Sequence, residues 1–270
     1  MISGLFAGAA AGLIAALLQL YFVQPVLLHA ELYETGELVH FGTAAVSAHQ
    51  DVGGFDLMRD GLSVVFAMLT YTGYAFILLV GMAIAEMRGA KITARNGLIW
   101  GLAGFVTFHF APGFTLAPEV PGVAAADVGA RQIWWWATVV AAGAGLWLLA
   151  FGRNWLAWGA AAVLLLAPHV IGAPEPDAFS GPVPTEIGAL FASRAFGVGM
   201  AAWMLLGCFA GFFSGNARAA GSERFNPPDT ATTGTERSSG RSILFRLFFF
   251  LIPADLVLLW NVPSRSLRSD

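Results

Sequence analysis

The sequence predicts an all-α integral membrane protein with about six transmembrane helices, on three observations. Of its 270 residues, 57% are hydrophobic and only 11% are charged, whereas an average soluble domain contains roughly 25% charged residues. The mean hydropathy is +0.69. The apolar residues also form long blocks that do not alternate with polar ones, which disfavours a soluble sandwich or α/β enzyme.

Six of these blocks approach the roughly 20 apolar residues that a membrane-spanning helix requires. The first block is predicted to be retained and not cleaved as a signal peptide, because Gln19, Tyr21 and Pro25 make a poor cleavage site. The predicted spans are residues 4–23, 61–86, 97–116, 133–151, 155–171 and 193–213. Together they form a predicted transmembrane domain over residues 1–215.

The loops between these spans alternate in charge. The even loops and the segment after the sixth span are basic, with Arg88 and Lys91 in the second loop. The odd loops are acidic, and the first, residues 24–60, holds six carboxylates against one arginine. Because basic residues beside spans stay cytoplasmic, we expect both termini in the cytoplasm and the acidic loops outside. In the third loop, Arg131 is predicted to form a structural ion pair with Asp127.

The composition changes after the sixth span. Residues 216–240 are rich in small polar residues, which is typical of a disordered linker and here predicts a cytoplasmic one. Residues 241–270 become apolar again but include Arg246, Pro253 and Asp255. Since one charge in mid-membrane costs ~2.5–3.5 kcal/mol on insertion scales, we expect an interfacial or disordered segment there and not a seventh span.

Several function classes conflict with the composition. A net charge of −3 argues against nucleic acid as a partner, which requires a clustered basic surface. Cys208 is the only cysteine and Lys91 the only lysine, which excludes an intramolecular disulfide, a multi-cysteine metal site and a lysine-containing phosphate loop. The H-E-x-x-H and G-x-S-x-G patterns are absent as well, and we predict no catalytic site.

An internal repeat marks the ends of two spans. Residues 111–119 and 167–175 share the pattern A-P-x4-A-P-E, 56 residues apart. The third and fifth spans run in the same direction, so we predict parallel repeats of helical hairpins. The first hairpin is predicted to be a more distant copy, in which Pro25 ends the outgoing helix and Glu31 follows.

Prolines and histidines coincide at the outer ends of three spans. Proline removes a backbone N–H and frees a carbonyl upstream, which is tolerated at membrane depth only beside protein or a water-filled cavity. His29, His109 and His169 each lie close to such a proline along the chain. The residues predicted to line a path or to break a helix are Gln19, Pro25, Pro112 and Pro168.

All five histidines map to this outer half, and three lie among the acids of the first loop. Imidazole with carboxylate is the ligand set for borderline divalent metals such as Co, Ni, Zn and Fe(II). We predict one metal site from His29, Glu31 and Glu34 and another from His109 and His169. Solvated loop positions, or hydrogen bonds to neighbouring helices, are the alternative roles. The weaker predicted capture positions are His40, His49, Asp51, Glu119 and Glu175.

The motifs around these residues resemble those of the CbtA family, cobalt transporter subunits of bacteria. The resemblance covers about residues 4–215 and is carried by four segments in order. They are residues 24–34 (QPVLLHAELYE), 100–122 (WGLAGFVTFHFAPGFTLAPEVPG), 127–135 (DVGARQIWW) and 168–176 (PHVIGAPEP).

The resemblance implies a multi-pass protein of the bacterial inner membrane that imports cobalt(II) for cobalamin synthesis and holds no cofactor tightly. It also implies a small companion, CbtB, with a single span and a His-rich metal-binding end. The residues leave two other functions open: a non-transporting membrane scaffold that docks such a His-rich partner, and a haem-binding membrane protein. They also leave open whether the chain forms a homo-oligomer.

Overall fold

A computed structural model describes residues 2–40, 46–48 and 50–225, with residues 216–225 described by their backbone alone. Over this part of the chain the protein is all-helical and contains no strand. Five of its helices are long and apolar enough to cross a membrane, and one apolar helix is shorter. This confirms the predicted all-α membrane fold. The helices are α1 (Ile2–Glu34), α2 (Leu57–Met87), α3 (Ala94–Thr115), α4 (Val128–Phe151), α5 (Trp155–Ile171) and α6 (Thr185–Phe225).

Most helices extend beyond the apolar blocks that predicted them, because polar capping residues set where they begin. A side-chain oxygen at the N-cap accepts a backbone N–H of the first turn and satisfies one of its free donors. Helix α6 continues to Phe225, into the segment 216–240 predicted as a linker. The predicted apolar segment 241–270 lies outside the described residues. The N-cap residues of α2, α3, α4 and α5 are Asp56, Thr93, Asp127 and Asn154.

Small residues let the helices approach each other closely. Helix α1 packs along α2, and α4 packs along α5. A Cβ atom on Gly8 or Gly12 would overlap the backbone of α2 at Thr72 or Met68. Gly8 and Gly12 are four residues apart, a spacing of small residues that favours such close packing of membrane helices.

Helices α3 and α6 cross with their backbones in direct contact. A Cβ atom on Gly97 or Gly101 would overlap α6, and one on Gly207 would overlap α3. One turn further along, the indole of Trp203 covers Gly104. Trp203 and Leu206 are among the most deeply buried side chains of the described bundle, so this crossing forms the centre of its core.

Two π-helical segments interrupt α1 and α3, at Gln19–Val23 and Val106–Phe110. In each, the N–H that closes the segment bonds to a carbonyl five residues earlier. A proline, Pro25 or Pro112, stands within the first two residues of the α-helix that follows. Because a π turn contains one extra residue and proline needs no hydrogen-bond acceptor, the helix passes through the proline without ending. This shared backbone feature supports the interpretation of the first hairpin as a copy of the second.

The prediction that Pro25 ends its helix is therefore wrong. Helix α1 continues past Pro25 to Glu34, and α3 continues past Pro112 to Thr115. Pro168 lies inside α5, which ends three residues later at Ile171 and has Gly172 as its C-cap. Gly172 has a positive φ of 89°, a conformation that glycine adopts readily and that commonly terminates helices.

The loops gather at two ends of the bundle. The loops that follow α1, α3 and α5 meet at one end, which we call the acidic end. There the N–H of Ala124, in the loop after α3, donates to the carbonyl of Ser180, in the loop after α5, at 2.8 Å. Tyr33, near the end of α1, packs in one cluster with residues of these two loops. The other end, which we call the basic end, holds the loops after α2 and α4. There Ser3 Oγ donates to the carbonyl of Phe213 at 3.3 Å and joins α1 to α6.

Candidate functional site

A buried carboxylate, Asp60, joins α1 to α2 at the acidic end. Its side chain lies at the start of α2, and the residue is only 3% exposed. Asp60 Oδ1 accepts hydrogen bonds from Gln24 Nε2 at 2.6 Å and from Arg59 Nε at 2.7 Å. Asp60 Oδ2 accepts from the backbone N–H of Asp56 at 2.9 Å. A buried carboxylate requires such partners, so this network holds α1 in place directly after its π segment.

The π segment itself is bound by α6. Arg194 Nη1 donates to the carbonyl oxygen of Phe22 at 3.0 Å. A guanidinium that accepts no hydrogen bonds and offers five donors is well suited to an exposed backbone carbonyl. Gln19, predicted to line a path, begins this segment with an exposed side chain. Thus α2 and α6 both hold the irregular turn of α1.

Removing the Asp60 carboxylate is expected to destabilise the bundle. In Asp60→Ala, Gln24 and Arg59 lose their shared acceptor, and the bond between α1 and α2 is broken. We expect a lower thermal unfolding midpoint for the purified protein in detergent, measured by scanning fluorimetry. The matched control is Asp51→Ala, because Asp51 is exposed and caps only its own loop at Gly53. Equal midpoints for the two variants would contradict this role of Asp60.

His29 lies on the part of α1 beyond Pro25, and its Nε2 is buried without a hydrogen-bond partner among the described atoms. Its ring lies 5.6 Å from that of Tyr33. Glu31 follows two residues later and is therefore rotated by about 200° around the helix. Glu31 and Glu34 share a face, but that face is not the one that carries His29. The predicted grouping of His29 with both glutamates is thus not assembled, because the helix continues through Pro25.

The weaker predicted capture residues are dispersed over the acidic end. His40, Asp51 and Glu175 are exposed, and Asp51 accepts the N–H of Gly53 at 3.0 Å. His49 lies outside the described residues. Within the described part of the chain, no three side chains of His, Cys, Asp or Glu lie close enough to hold a metal ion.

Arg131 pairs with Glu119 and not with Asp127. Its Nη2 lies 2.8 Å from Glu119 Oε2. The carboxylate of Asp127 instead caps α4 by accepting the N–H of Ala130 at 2.9 Å. The predicted ion pair between Asp127 and Arg131 is therefore wrong, because an N-cap carboxylate is turned toward the backbone of the first turn. Arg131 instead contacts the loop after α3, where Glu119 is the last residue of the first copy of the sequence repeat.

A cavity of about 300 Å³ lies at the acidic end between α3, α4 and α6. Arg131 and the loop after α3 line it toward the end of the bundle, and Tyr74, Phe108 and His109 line it toward the centre. His109 and Phe108 both belong to the π segment of α3. The irregular turn therefore places an imidazole in the wall of a cavity inside the bundle.

Three side chains that line this cavity, Tyr74, Phe108 and His109, pack against Trp203 toward the bundle centre. We call these four side chains the aromatic barrier. Phe108 stacks on Trp203 with ring centroids 5.4 Å apart, and the Tyr74 ring lies 4.7 Å from that of Trp203. Trp203 Nε1 donates to His109 Nδ1 at 3.1 Å. Since an indole N–H can only donate, Nδ1 carries the lone pair and the neutral ring carries its proton on Nε2. His109 can therefore offer Nδ1 to a cation only when Trp203 releases it.

His169 lies in separate surroundings. Its Nδ1 is 3.2 Å from Thr115 Oγ1, and its ring lies 5.4 Å from Phe114 and 6.4 Å from Trp134. Among the described contacts, none of these partners also contacts His109. The structure thus uses His169 to join α5 to α3 and α4, and the predicted pairing of the two histidines in one site is not assembled.

Comparison with known proteins identifies the family of the chain. Residues 1–215 match the family model described as "Probable cobalt transporter subunit (CbtA)". The chain belongs to the CbtA family. No curated protein and no solved structure matches it. This CbtA protein is thus a multi-pass membrane protein and a cobalt transporter subunit, and its description as a subunit implies a partner. The cavity, the aromatic barrier and the Asp60 network all lie within the matched residues.

Sequence reasoning missed two central residues of this CbtA protein, although each carried a signal. Tryptophan favours the membrane interfaces, and Trp203 stands near the middle of the sixth apolar block. Asp60 directly precedes a long apolar run, where an acid must find a partner or remain in the headgroup region. In both cases the signal is a residue type that is uncommon at its position relative to the apolar block.

Proposed function

We propose that this protein is the membrane-spanning component of a bacterial cobalt uptake system and carries cobalt(II) from the acidic end toward the basic end. One observation carries the proposal: His109 lines the cavity at the acidic end, and the lone pair on its Nδ1 accepts a hydrogen bond from Trp203. Imidazole is a suitable ligand for cobalt(II). The imported ion would supply cobalamin synthesis.

In the first step of this proposal, the acidic end attracts the cation. The first loop is strongly acidic, and clustered carboxylates raise the local concentration of cations. Glu119 neutralises Arg131 beside the cavity, which lowers the electrostatic barrier to a positive ion. His29 lies elsewhere at the acidic end, and its Nε2 has no hydrogen-bond partner among the described residues. Conduction requires contacts weak enough to release the ion, so the proposal uses single ligands in succession and no closed cage.

In the second step, the cation replaces the Trp203 N–H at Nδ1 of His109 and the aromatic barrier opens. The π segment Val106–Phe110 carries both Phe108 and His109, and such segments are frequently found at functional sites. Conversion of a π turn to an α turn rotates the residues on one side by about 100° relative to the other. That rotation would move both side chains away from Trp203 together.

The proposal places the protein in the inner membrane with both termini in the cytoplasm and the acidic end outside. The basic residues of the loops after α2 and α4 support this orientation. The partner implied by the word subunit would be a small single-span protein with a His-rich end, similar to CbtB. Cobalt(II) is the cargo in this scheme, with no tightly bound cofactor and no catalytic role for the chain.

Uptake by purified protein in vesicles tests the proposal. Vesicles that contain the chain and a trapped cobalt-sensitive dye should show cobalt influx, with Ni, Zn and Fe(II) as competitors and with the partner added in a parallel series. Influx that persists in the double variant His109→Ala/His169→Ala would show that neither imidazole belongs to the transport path. If the partner binds but no influx occurs with or without it, the chain is a docking scaffold. A Soret band in the spectrum of the purified protein would instead indicate a haem protein.

A further inference from the structure

A groove of about 490 Å³ runs between α2, α3 and α4 at the basic end. One end of the groove is polar, where Lys91 and Asn96 line it. The other end reaches Thr107 and Phe108, and the walls between are apolar and aromatic. Thr107 has its hydroxyl bonded to the carbonyl of Ala103 at 2.8 Å, so it offers little polarity to an occupant. The groove therefore has a charged mouth and an apolar body.

The length of the groove corresponds to one leaflet of a bilayer. Along α3 its lining extends from Asn96 to Phe108, an axial distance of roughly 18 Å at 1.5 Å per residue. The hydrocarbon core of a bilayer is about 30 Å thick. A spanning helix of another protein would need a wall along the full thickness, whereas an acyl chain occupies a single leaflet. The dimensions therefore favour a lipid.

The mouth of the groove is positively charged. Lys91 lines it, and the guanidinium of Arg88 lies 5.2 Å from the ring centroid of Trp147, which lines the groove as well. The chain has no acid between Glu86 and Glu119, and the Lys91 ammonium has no acidic partner within the described residues. Asn96 Nδ2 donates to the Lys91 carbonyl at 2.8 Å and holds this turn against α3. Basic pockets between transmembrane helices bind anionic lipid headgroups.

We propose that this groove binds one anionic phospholipid. Its phosphate lies at Lys91 and Arg88, and one acyl chain lies along α3 against Trp100 and Trp147, whose rings pack on each other with centroids 6.4 Å apart. Aromatic residues at this depth are typical of the membrane interface. The lipid is thereby a component of the packing between α2, α3 and α4, and the inner end of its groove is formed by Phe108 and Trp203 of the aromatic barrier.

Native mass spectrometry of the full chain tests the charge requirement. The probe is protein reconstituted in vesicles of equal phosphatidylglycerol and phosphatidylcholine, then released with its retained lipids. We expect preferential retention of one phosphatidylglycerol and a loss of about five-fold in that preference for each charge removed in Lys91→Gln and Arg88→Gln. Arg153→Gln is the matched control, because Arg153 is an exposed arginine of the other basic loop that does not line the groove. Equal retention of both lipids, or an equal loss in Arg153→Gln, would overturn the proposal.

Quenching by lipids brominated on the acyl chain tests the location. Brominated phosphatidylglycerol should quench the tryptophan fluorescence, and the quenched fraction should fall in Trp147→Phe more than in Trp136→Phe, an exposed tryptophan on the same helix.

In a Cys208→Ala background, Ile99→Cys reports on a protein occupant, since Ile99 lines the groove and is 69% exposed. A disulfide from this position to a second copy or to a co-purified polypeptide would overturn the assignment to lipid.

Discussion

Gly207→Leu is expected to prevent the bundle from assembling. A Cβ atom at this position would lie 2.5 Å from the backbone nitrogen of Gly101 and 2.7 Å from its Cα, and it would overlap the carbonyl oxygen of Gly97. These are backbone atoms of α3, so no side chain can rotate away, and the two helices must separate. Overpacking of a core costs about 1–3 kcal/mol when side chains can adjust, and a backbone overlap leaves less room for adjustment. We expect little monodisperse protein by size-exclusion chromatography in detergent.

Helix α6, which carries Gly207, also provides the control for this prediction. Gly197 also lies in α6, but it is exposed and no atom lies within 4 Å of a Cβ built there. Gly197→Leu makes the identical chemical change and should leave the yield and the unfolding midpoint close to those of the parent protein. If Gly207→Leu behaves as Gly197→Leu does, then α3 and α6 do not cross with their backbones in contact.

His109→Ala is expected to abolish cobalt uptake, and Trp203→Phe is expected to strengthen cobalt binding. Both expectations rest on the proposed function. The alanine variant removes the imidazole that closes the cavity. The phenylalanine variant keeps an aromatic ring beside Phe108 but removes the N–H that occupies His109 Nδ1. Since a hydrogen bond contributes about 0.5–1.5 kcal/mol net, cobalt should bind roughly two- to twelve-fold more tightly.

Isothermal titration with cobalt(II) measures the second effect, and vesicle uptake measures the first. Trp136→Phe is the control for the loss of an indole, because Trp136 is 58% exposed and lies outside the aromatic barrier. Unfolding midpoints of all variants show that the bundle remains folded, which matters because Trp203 is buried in the core. Weaker or unchanged cobalt binding in Trp203→Phe would show that the indole does not compete with the cation for His109.

The helix boundaries show where sequence patterns succeed. The predicted span 155–171 coincides with α5, because both of its limits are marked along the chain, by the capping Asn154 and by Gly172. The spacing of Gly8 and Gly12 in the first span favours close packing for a similar reason, since small residues at helical spacing leave a groove whatever the partner. Features that depend on one helix and its immediate flanks were therefore predictable.

The ligand groupings show where sequence patterns fail. Asp127 lies four residues before Arg131 and Glu119 lies twelve residues before it, yet Arg131 pairs with Glu119, because Asp127 caps α4 and the loop after α3 brings Glu119 close. His29 was grouped with Glu31 and Glu34 because the three are close along the chain, whereas in the continuous helix His29 lies on a different face from both glutamates. Residue spacing predicts proximity only when the backbone conformation between the residues is known.

The amino-acid sequence alone determined that this protein is a bundle of apolar helices with one acidic and one basic end, because hydrophobicity and charge act on each segment separately. Its motifs also carried the CbtA resemblance. The tertiary structure alone decided that Asp60 is a buried partner of Gln24, that Trp203 occupies the lone pair of His109, and that the two inner histidines stand apart. These pairings join residues distant along the chain, and they depend on how two π turns direct the helices that carry them.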